Sequence, residues 1–225
     1  SYGEDPERRY PVMYFFDGQN IFFDDDAAFG TSWGMEGYML ESEREMIQVA
    51  IECNREGSGR LEEYSPFTFE NSELGRIKGR GKQYMHWLIK ELKPYIDETY
   101  RTLPDRENTM IAGSSMGGLM ALYAATTFNS VFQRAACLSP SLWVAPGKIL
   151  ELIARAHIRR DTCIYLDYGA KEMFNHAANA EALFSTAHLL MTKRVNLTFR
   201  IVPDGTHCEA SWANQVPIFM ECLDV

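Results

Sequence analysis

The chain has 225 residues, of which 46% are hydrophobic and 24% charged, and this balance is typical of one globular domain spanning residues 1–225. Its formal net charge of −9 at pH 7 disfavours nucleic acid or an anionic membrane as a partner. No apolar run in the sequence is long enough to cross a bilayer, and we expect a cytoplasmic protein.

Short apolar runs alternate with helix-forming segments along the whole chain. Continuously apolar runs are typical of parallel strands buried on both faces, and we predict strands at 11–16, 46–51, 108–112, 132–138, 162–168 and 195–202. The apolar spacing and helix-forming composition between them predict helices at 34–45, 79–101, 117–128, 148–157, 174–191 and 209–223, with Pro94 and Pro217 interrupting the second and the last. This alternation predicts an α/β protein, with a mostly parallel sheet, helices on both faces, and the last strand at an edge.

A long connection, residues 52–78, follows the second predicted strand. Loops of this length inside a compact domain are usually functional. Its basic residues could face an acidic or phenolic group or could be solvated surface; they include Arg55, Arg60, Arg76 and Lys78.

The five cysteines are scattered without the spacing of a metal site or of a disulfide framework. We expect all five to be reduced and structural, and we expect no metal and no cofactor. They are Cys53, Cys137, Cys163, Cys208 and Cys222.

Polar residues follow the ends of several predicted strands. The carboxyl ends of parallel strands meet at one edge of a sheet, where ligands bind. Asp17, Ser115 and Ser139, the turn after Tyr168 and the loop after Val202 are therefore expected to converge.

The pattern Gly-x-Ser-x-Gly, centred on Ser115, lies between a predicted strand and a predicted helix. A tight strand-to-helix turn projects a serine hydroxyl above the sheet edge and aims the helix N-terminus at it. Gly113 and Gly117 are expected where a Cβ would collide with neighbouring atoms. The five-residue pattern alone is also compatible with an ordinary glycine-rich turn.

A serine hydroxyl needs a neighbouring base to act as a nucleophile. His207 follows the last strand on a turn at the same sheet edge, whereas the other four histidines fall in predicted helices, where surface or packing roles are expected; these are His86, His157, His176 and His188. His207 is therefore the candidate general base.

The base in turn needs a carboxylate, which follows the serine and precedes the histidine in α/β-hydrolases. Glu172 in the turn after strand 162–168 is our choice. Asp167 within that strand is the first alternative, and Asp204, close to His207 in sequence, is the second.

Two backbone amides are expected to bind the oxyanion, that of Met116 after the nucleophile and that of Gln19 after the first strand. Trp33, Trp143 and Trp212 lie near the same edge and either line the substrate pocket or pack in the interior. Ser139 is a further candidate for substrate binding.

An ordered set of motifs along nearly the whole chain resembles the putative esterase (esterase D-like) family. The set comprises Asp17-Gly18-Gln19-Asn20, Ser32-Trp33, Glu63-Tyr64-Ser65-Pro66, Leu92-Lys93-Pro94-Tyr95-Ile96, Thr102-Leu103-Pro104-Asp105-Arg106, Gly113–Gly118, Leu138–Trp143 and Gly205-x-His207…Trp212. The resemblance implies an α/β-hydrolase fold, with Ser115 as nucleophile, His207 as base and an acid at Gly169–Glu172. Many members carry aspartate there, so Glu172 is a departure.

Members usually have further strands before the equivalent of Pro11-Val12-Met13, so we expect this chain to lack the first N-terminal strands of the fold. An exposed sheet edge of that kind is a possible surface for a homodimer.

The resemblance implies a serine carboxylic-ester hydrolase. Small-molecule acyl or hydroxycinnamoyl esters, with sugars as the alcohol, are the first expected substrates. The alternatives are a siderophore trilactone esterase, an acyltransferase using the same triad, and a non-catalytic α/β-hydrolase-like binding protein.

Overall fold

The computed structural model describes residues 2–3, 5–173 and 177–224, without the side chains of residues 173, 177 and 178. Eight strands lie within these residues: β1 (Val12–Phe16), β2 (Ile47–Ile51), β3 (Phe69–Asn71), β4 (Gly75–Ile77), β5 (Thr109–Ser114), β6 (Arg134–Leu138), β7 (Cys163–Gly169) and β8 (Asn196–Val202).

The helices of the same residues alternate with the strands as the sequence predicts. They are α1 (Met35–Ser42), α2 (Gly59–Glu63), α3 (Gly81–Trp87), α4 (Lys93–Thr99), α5 (Met116–Thr127), α6 (Pro146–Arg155), α7 (Ala170–Met173), α8 (Ala177–Thr192), α9 (Glu209–Ala213) and α10 (Val216–Cys222). Residues 174–176 of the predicted helix 174–191 lie outside the described part of the chain.

Six strands form one parallel sheet in the order β2-β1-β5-β6-β7-β8, which confirms the predicted sheet and the edge position of the last strand. Each crossover between neighbouring parallel strands contains a helix, as such pairing requires. β1, β5, β6 and β7 are almost entirely buried, whereas both edge strands are half-buried.

Two hydrophobic clusters cover the two faces of the sheet, because alternate residues of each strand point to opposite faces. One contains Tyr14, Phe16 and Ile111 with helix α5, and the other contains Met13 and Phe15 with helix α10. Burial on both faces explains why these strands are continuously apolar.

Three predicted segments differ in detail from the structure. The connection 52–78 contains helix α2 and the antiparallel hairpin β3–β4. Between α3 and α4 the helix widens into a π-helical turn, Leu88–Leu92, just before Pro94, which cannot donate a backbone hydrogen bond. The predicted last helix is divided into α9 and α10, with Pro217 in the first turn of α10.

No helix of the described residues is long and apolar enough to cross a membrane. The five cysteines are free thiols, as we expect from their spacing, and three of them are buried.

Candidate active site

Ser115 lies on a strained turn between β5 and α5. Its backbone has φ 57° and ψ −119°, an unusual conformation for a residue with a side chain. A Cβ on Gly113 would lie 2.6 Å from the carbonyl oxygen of Gly117, and one on Gly117 would lie 2.9 Å from Cβ of Phe16. The predicted need for glycine at both positions is confirmed, and the tight turn holds the Ser115 side chain above the sheet edge.

The structure brings together the three residues that the sequence singles out. Nε2 of His207 is 2.8 Å from Oγ of Ser115, and Nδ1 of His207 is 2.6 Å from Oε2 of Glu172. The Glu172 carboxylate is 2% exposed, whereas the His207 side chain is 43% exposed. A continuous hydrogen-bonded chain therefore runs from a buried acid to a serine at the surface of the cleft.

The second oxygen of Glu172 is held by groups outside this chain. Oε1 accepts hydrogen bonds from Ser139 Oγ at 2.8 Å and from the backbone N–H of Gly169 at 3.1 Å. Ser139 is 2% exposed, and its hydroxyl also accepts a bond from Nε1 of Trp212 at 3.0 Å. The expectation that Ser139 binds substrate is therefore corrected, because its side chain faces the acid and is enclosed.

The two alternative acids lie elsewhere. Asp167 is 1% exposed and accepts hydrogen bonds from the Ser139 N–H at 3.0 Å and the Tyr165 hydroxyl at 2.9 Å, while burial raises its pKa to about 7. Asp204 is on the surface, 3.2 Å from the ammonium of Lys171. Within the described residues neither carboxylate contacts His207, and Glu172 alone does so.

The other histidines lie outside the site. His86, His157 and His188 are exposed, and the ring of His86 packs edge-on against Phe128. His176 lies outside the described residues.

The two predicted oxyanion donors belong to segments at the cleft. Met116 is the first residue of α5, so its amide has no acceptor within the helix. Gln19 lies in a single 3-10 turn after β1, Gly18–Asn20, and it lines the same cleft as Ser115. The Gln19 side chain is tied to Cys53, donating to its sulfur at 3.4 Å and accepting from its N–H at 3.3 Å.

The three tryptophans have different positions. Trp212 lines the cleft, and its ring packs edge-on against His207 with centroids 5.0 Å apart. Trp33 is 3% exposed and packs in the interior against Phe15 and Phe219, so its expected pocket role is corrected to core packing. Trp143 is 42% exposed and packs edge-on against Phe69; it is not among the residues that line the cleft, so its role in substrate binding stays a prediction.

A cleft of about 520 Å³ opens at Ser115 and His207. Of the four basic residues in the connection 52–78, Arg55 and Arg60 line it. The other residues of the wall are Asp17, Gln19, Asn20, Cys53, Asn54, Ser114 and Glu209, together with Ala28, Phe29, Gly57 and Trp212. Burial and the nearby Asp17 raise the pKa of Cys53 to about 11, so this thiol stays protonated and is no competing nucleophile.

Sequence reasoning missed two polar pairs in the cleft. Asp17 forms an ion pair with Arg60, and Glu209 accepts a hydrogen bond from the Asn20 amide at 3.1 Å. Burial also raises the pKa of Glu209 above its usual value. The sequence does offer a signal for both pairs, because Asp17 and Asn20 lie within two residues of Gln19 and Glu209 is two residues from His207.

A family model described as "Putative esterase" matches residues 1–218. The chain belongs to this esterase family. A curated relative, the uncharacterized protein YbbA of Bacillus subtilis (strain 168), is 22% identical over 166 residues, which are 72% of this chain and 62% of that protein. The chain thus spans less than two thirds of the relative's length.

Solved structures of similar fold include three hydrolases. An IroE-like serine hydrolase from Shewanella oneidensis has a TM-score of 0.78 and 18% identity, over 98% of this chain and 72% of that one. A ferulic acid esterase has a TM-score of 0.64 and 18% identity, over 99% of this chain and 89% of that one. The enterobactin esterase FES of Shigella flexneri has a TM-score of 0.71 and 19% identity, over 96% of this chain and 52% of that one. These similarities establish the α/β-hydrolase fold for this chain.

Proposed function

We propose that the protein is a serine carboxylic-ester hydrolase that works through an acyl-enzyme. The observation that carries the proposal is the hydrogen-bonded chain Ser115–His207–Glu172 at the mouth of the cleft. A buried carboxylate, a histidine and a serine on a strained turn are the arrangement that activates a hydroxyl for acyl transfer. Membership of an esterase family supports an ester as the substrate.

In the first step, neutral His207 takes the hydroxyl proton as Ser115 Oγ attacks the ester carbonyl. The tetrahedral oxyanion accepts hydrogen bonds from the Gln19 and Met116 amides, and Glu172 stabilises the imidazolium. His207 then gives the proton to the leaving alcohol, the C–O bond breaks, and an acyl-serine ester remains. Water attacks this ester with His207 again as base, which releases the carboxylic acid and restores the hydroxyl.

Small acyl or hydroxycinnamoyl esters of sugars are the proposed substrates. The cleft offers hydroxyl-binding groups in Asn20, Asn54 and Glu209, and Arg55 supplies a positive charge for a phenolic acyl group. The similarity to a ferulic acid esterase agrees with this choice, whereas the similarity to an enterobactin esterase makes a siderophore trilactone the second candidate. The exposure of His207 favours water over another acceptor, hence hydrolysis over acyl transfer.

The direct test is hydrolysis of p-nitrophenyl acetate by the wild type and by Ser115→Ala. We expect turnover by the wild type and a fall of at least about a thousandfold in the variant, because triad members act as a unit. The matched control is Ser185→Ala on helix α8, outside the cleft, which should keep wild-type turnover.

Two further measurements define the chemistry. Mass spectrometry of the intact protein during turnover should show one added acyl group, absent in Ser115→Ala. A panel of acetylated sugars, feruloyl sugars and a trilactone then ranks the substrates by kcat/KM. Equal turnover by Ser115→Ala and wild type would contradict the proposed nucleophile.

A further inference from the structure

Asp17, the residue before the Gly18–Gln19 turn, makes a two-point ion pair with Arg60 of helix α2. Arg60 Nε lies 2.6 Å from Oδ1, and its Nη2 lies 2.8 Å from Oδ2. The Asp17 carboxylate is only 5% exposed, and Arg60 is the cation that neutralises it. A planar guanidinium that grips both carboxylate oxygens fixes orientation as well as charge.

The same short segment also holds the backbone of Asp17. The Asp17 N–H donates to the hydroxyl of Tyr64, directly after α2, at 3.0 Å. Asp17 has φ 55° and ψ 50°, a left-handed conformation that is uncommon outside glycine and persists only where the surroundings hold it. Residues 60–64 therefore hold both the side chain and the main chain of Asp17.

The conformation of Asp17 determines where the Gln19 amide points. On the far side of the turn, a Cβ on Gly18 would lie 2.5 Å from the Ala50 carbonyl carbon, so the turn is pressed against the backbone of β2. The turn is thus confined by β2 on one side and by Arg60 on the other. Loss of the Arg60 contact would leave the left-handed Asp17 free to relax and to carry the Gln19 amide with it.

The Asp17 carboxylate also borders the segment that supplies the other amide. A Cβ added to Gly117 would come within 3.2 Å of Asp17 Oδ2, so the carboxylate lies against the first turn of α5, next to Met116. One carboxylate therefore contacts or adjoins both segments that carry the proposed oxyanion donors, the amides of Gln19 and Met116. A buried ion pair is weak evidence for stability by itself, which makes a geometric role the better explanation of this pair.

We propose that Asp17 and Arg60 are a positioning pair that fixes the Gln19 amide relative to the Met116 amide, so that the connection 52–78 must be seated for the oxyanion site to be complete. This inference rests on the proposed ester hydrolysis. Neither side chain is required to touch the reacting atoms; the pair acts through the backbone of the turn.

The test is Arg60→Lys, which keeps the positive charge but cannot form the bidentate ion pair with the Asp17 carboxylate. Kinetic constants on p-nitrophenyl acetate are measured together with the Ki of phenylboronic acid, whose tetrahedral adduct with a serine places an oxygen in the oxyanion site. Removal of one oxyanion donor typically lowers kcat by about 10² to 10³. For a displaced donor we expect a kcat about 10- to 100-fold lower, KM within about threefold, and a Ki raised by the same factor as kcat/KM falls.

The matched control is Arg106→Lys. Arg106 is a buried arginine that does not line the cleft. It forms an ion pair with Asp161 at 3.0 Å and donates a hydrogen bond to the Asn129 carbonyl. The same substitution there should lower the melting temperature and leave kcat and Ki unchanged. If Arg60→Lys is recovered unfolded, the double variant Asp17→Asn/Arg60→Gln, which keeps hydrogen-bonding groups without charge, is measured instead and judged by the same criteria.

A folded pair variant with wild-type kcat and boronic acid affinity would overturn the inference. A rise in KM alone would also overturn it, because that result indicates direct contact with substrate. An equal loss of kcat in Arg106→Lys would overturn it too, because that result indicates a general loss of structural stability. Absence of turnover in the wild type, or undiminished turnover in Ser115→Ala, would instead refute the proposed function.

Discussion

Ser139 supports the acid of the candidate catalytic unit from the side away from His207. Its hydroxyl donates to Glu172 and accepts from Trp212, whose ring packs on His207. Its backbone has φ 41°, a left-handed conformation, and its N–H donates to Asp167. One enclosed serine therefore sets the orientation of the carboxylate and of the aromatic ring beside the histidine.

Ser139→Ala should lower kcat about tenfold with little change in KM. The variant removes a hydrogen bond to a charged carboxylate, worth about 1.5 kcal/mol, and this corresponds to about tenfold in rate if the imidazolium loses that support in the transition state. Steady-state kinetics on p-nitrophenyl acetate measure the effect. Ser65→Ala is the control, because Ser65 is also fully buried and its hydroxyl bonds the backbone of Phe67, two residues along the chain. Wild-type kcat in Ser139→Ala would contradict the argument.

At the scale of elements, the turn between β5 and α5 depends on how closely the end of β1 approaches it. Gly117 lies in the first turn of α5, and it faces Phe16 and Asp17 at the end of β1. The contact is between backbone and side-chain atoms of two neighbouring elements, so little can move to admit a methyl group. Helix α6 offers the opposite case, because a Cβ on Gly147 would meet nothing within 4 Å.

Gly117→Ala should therefore destabilise the protein by about 1–3 kcal/mol, since overpacking forces backbone shifts of this cost. Gly147→Ala makes the same chemical change in a helix with free space, and it should raise stability by up to about 1 kcal/mol. Urea denaturation of both variants measures the difference. Similar free energies of unfolding for the two variants would disprove the close approach at Gly117.

Across the whole molecule, local sequence patterns predict the features that neighbouring residues in the chain determine. Continuous apolar runs indicate the buried parallel strands, and chain order with strand ends suffices to select Ser115, Glu172 and His207 for one site. The sequence does not predict contacts between residues that are far apart in the chain. Asp17 and Arg60 are 43 positions apart, and Asn20 and Glu209 are 189 apart. Trp33 and Trp212 look equivalent in sequence, and only tertiary packing buries one in the core and places the other at the cleft.

We expect the stability of the whole protein to depend on pH through carboxyl groups whose pKa is raised by burial. Burial raises the pKa of Asp167 to about 7, and burial also raises the pKa values of Glu63 and Glu209. An aspartate in an unfolded chain has a pKa of about 3.9. Between about pH 4 and 7 the folded protein therefore keeps a proton on Asp167 that the unfolded chain releases, so this group's contribution to stability is present at low pH and is lost as pH rises to about 7.

Asp167→Asn should remove this dependence, because an amide resembles the protonated acid and can donate to the Tyr165 oxygen, while the Tyr165 hydroxyl turns to Gln215 Oε1, 3.4 Å away. The free energy of unfolding of the variant should match that of the wild type near pH 4. Above pH 4 the free energy of unfolding of the variant should exceed that of the wild type. The difference should grow by at most about 1.4 kcal/mol per pH unit up to about pH 7 and then stay constant. Denaturation across pH 4–9 measures both curves, with Asp204→Asn, at a carboxylate that is 92% exposed, as the control that should follow the wild type. Parallel curves for Asp167→Asn and wild type would show that Asp167 is ionised in the folded protein throughout this range, and that Tyr165 and the Ser139 amide stabilise its charge more than burial opposes it.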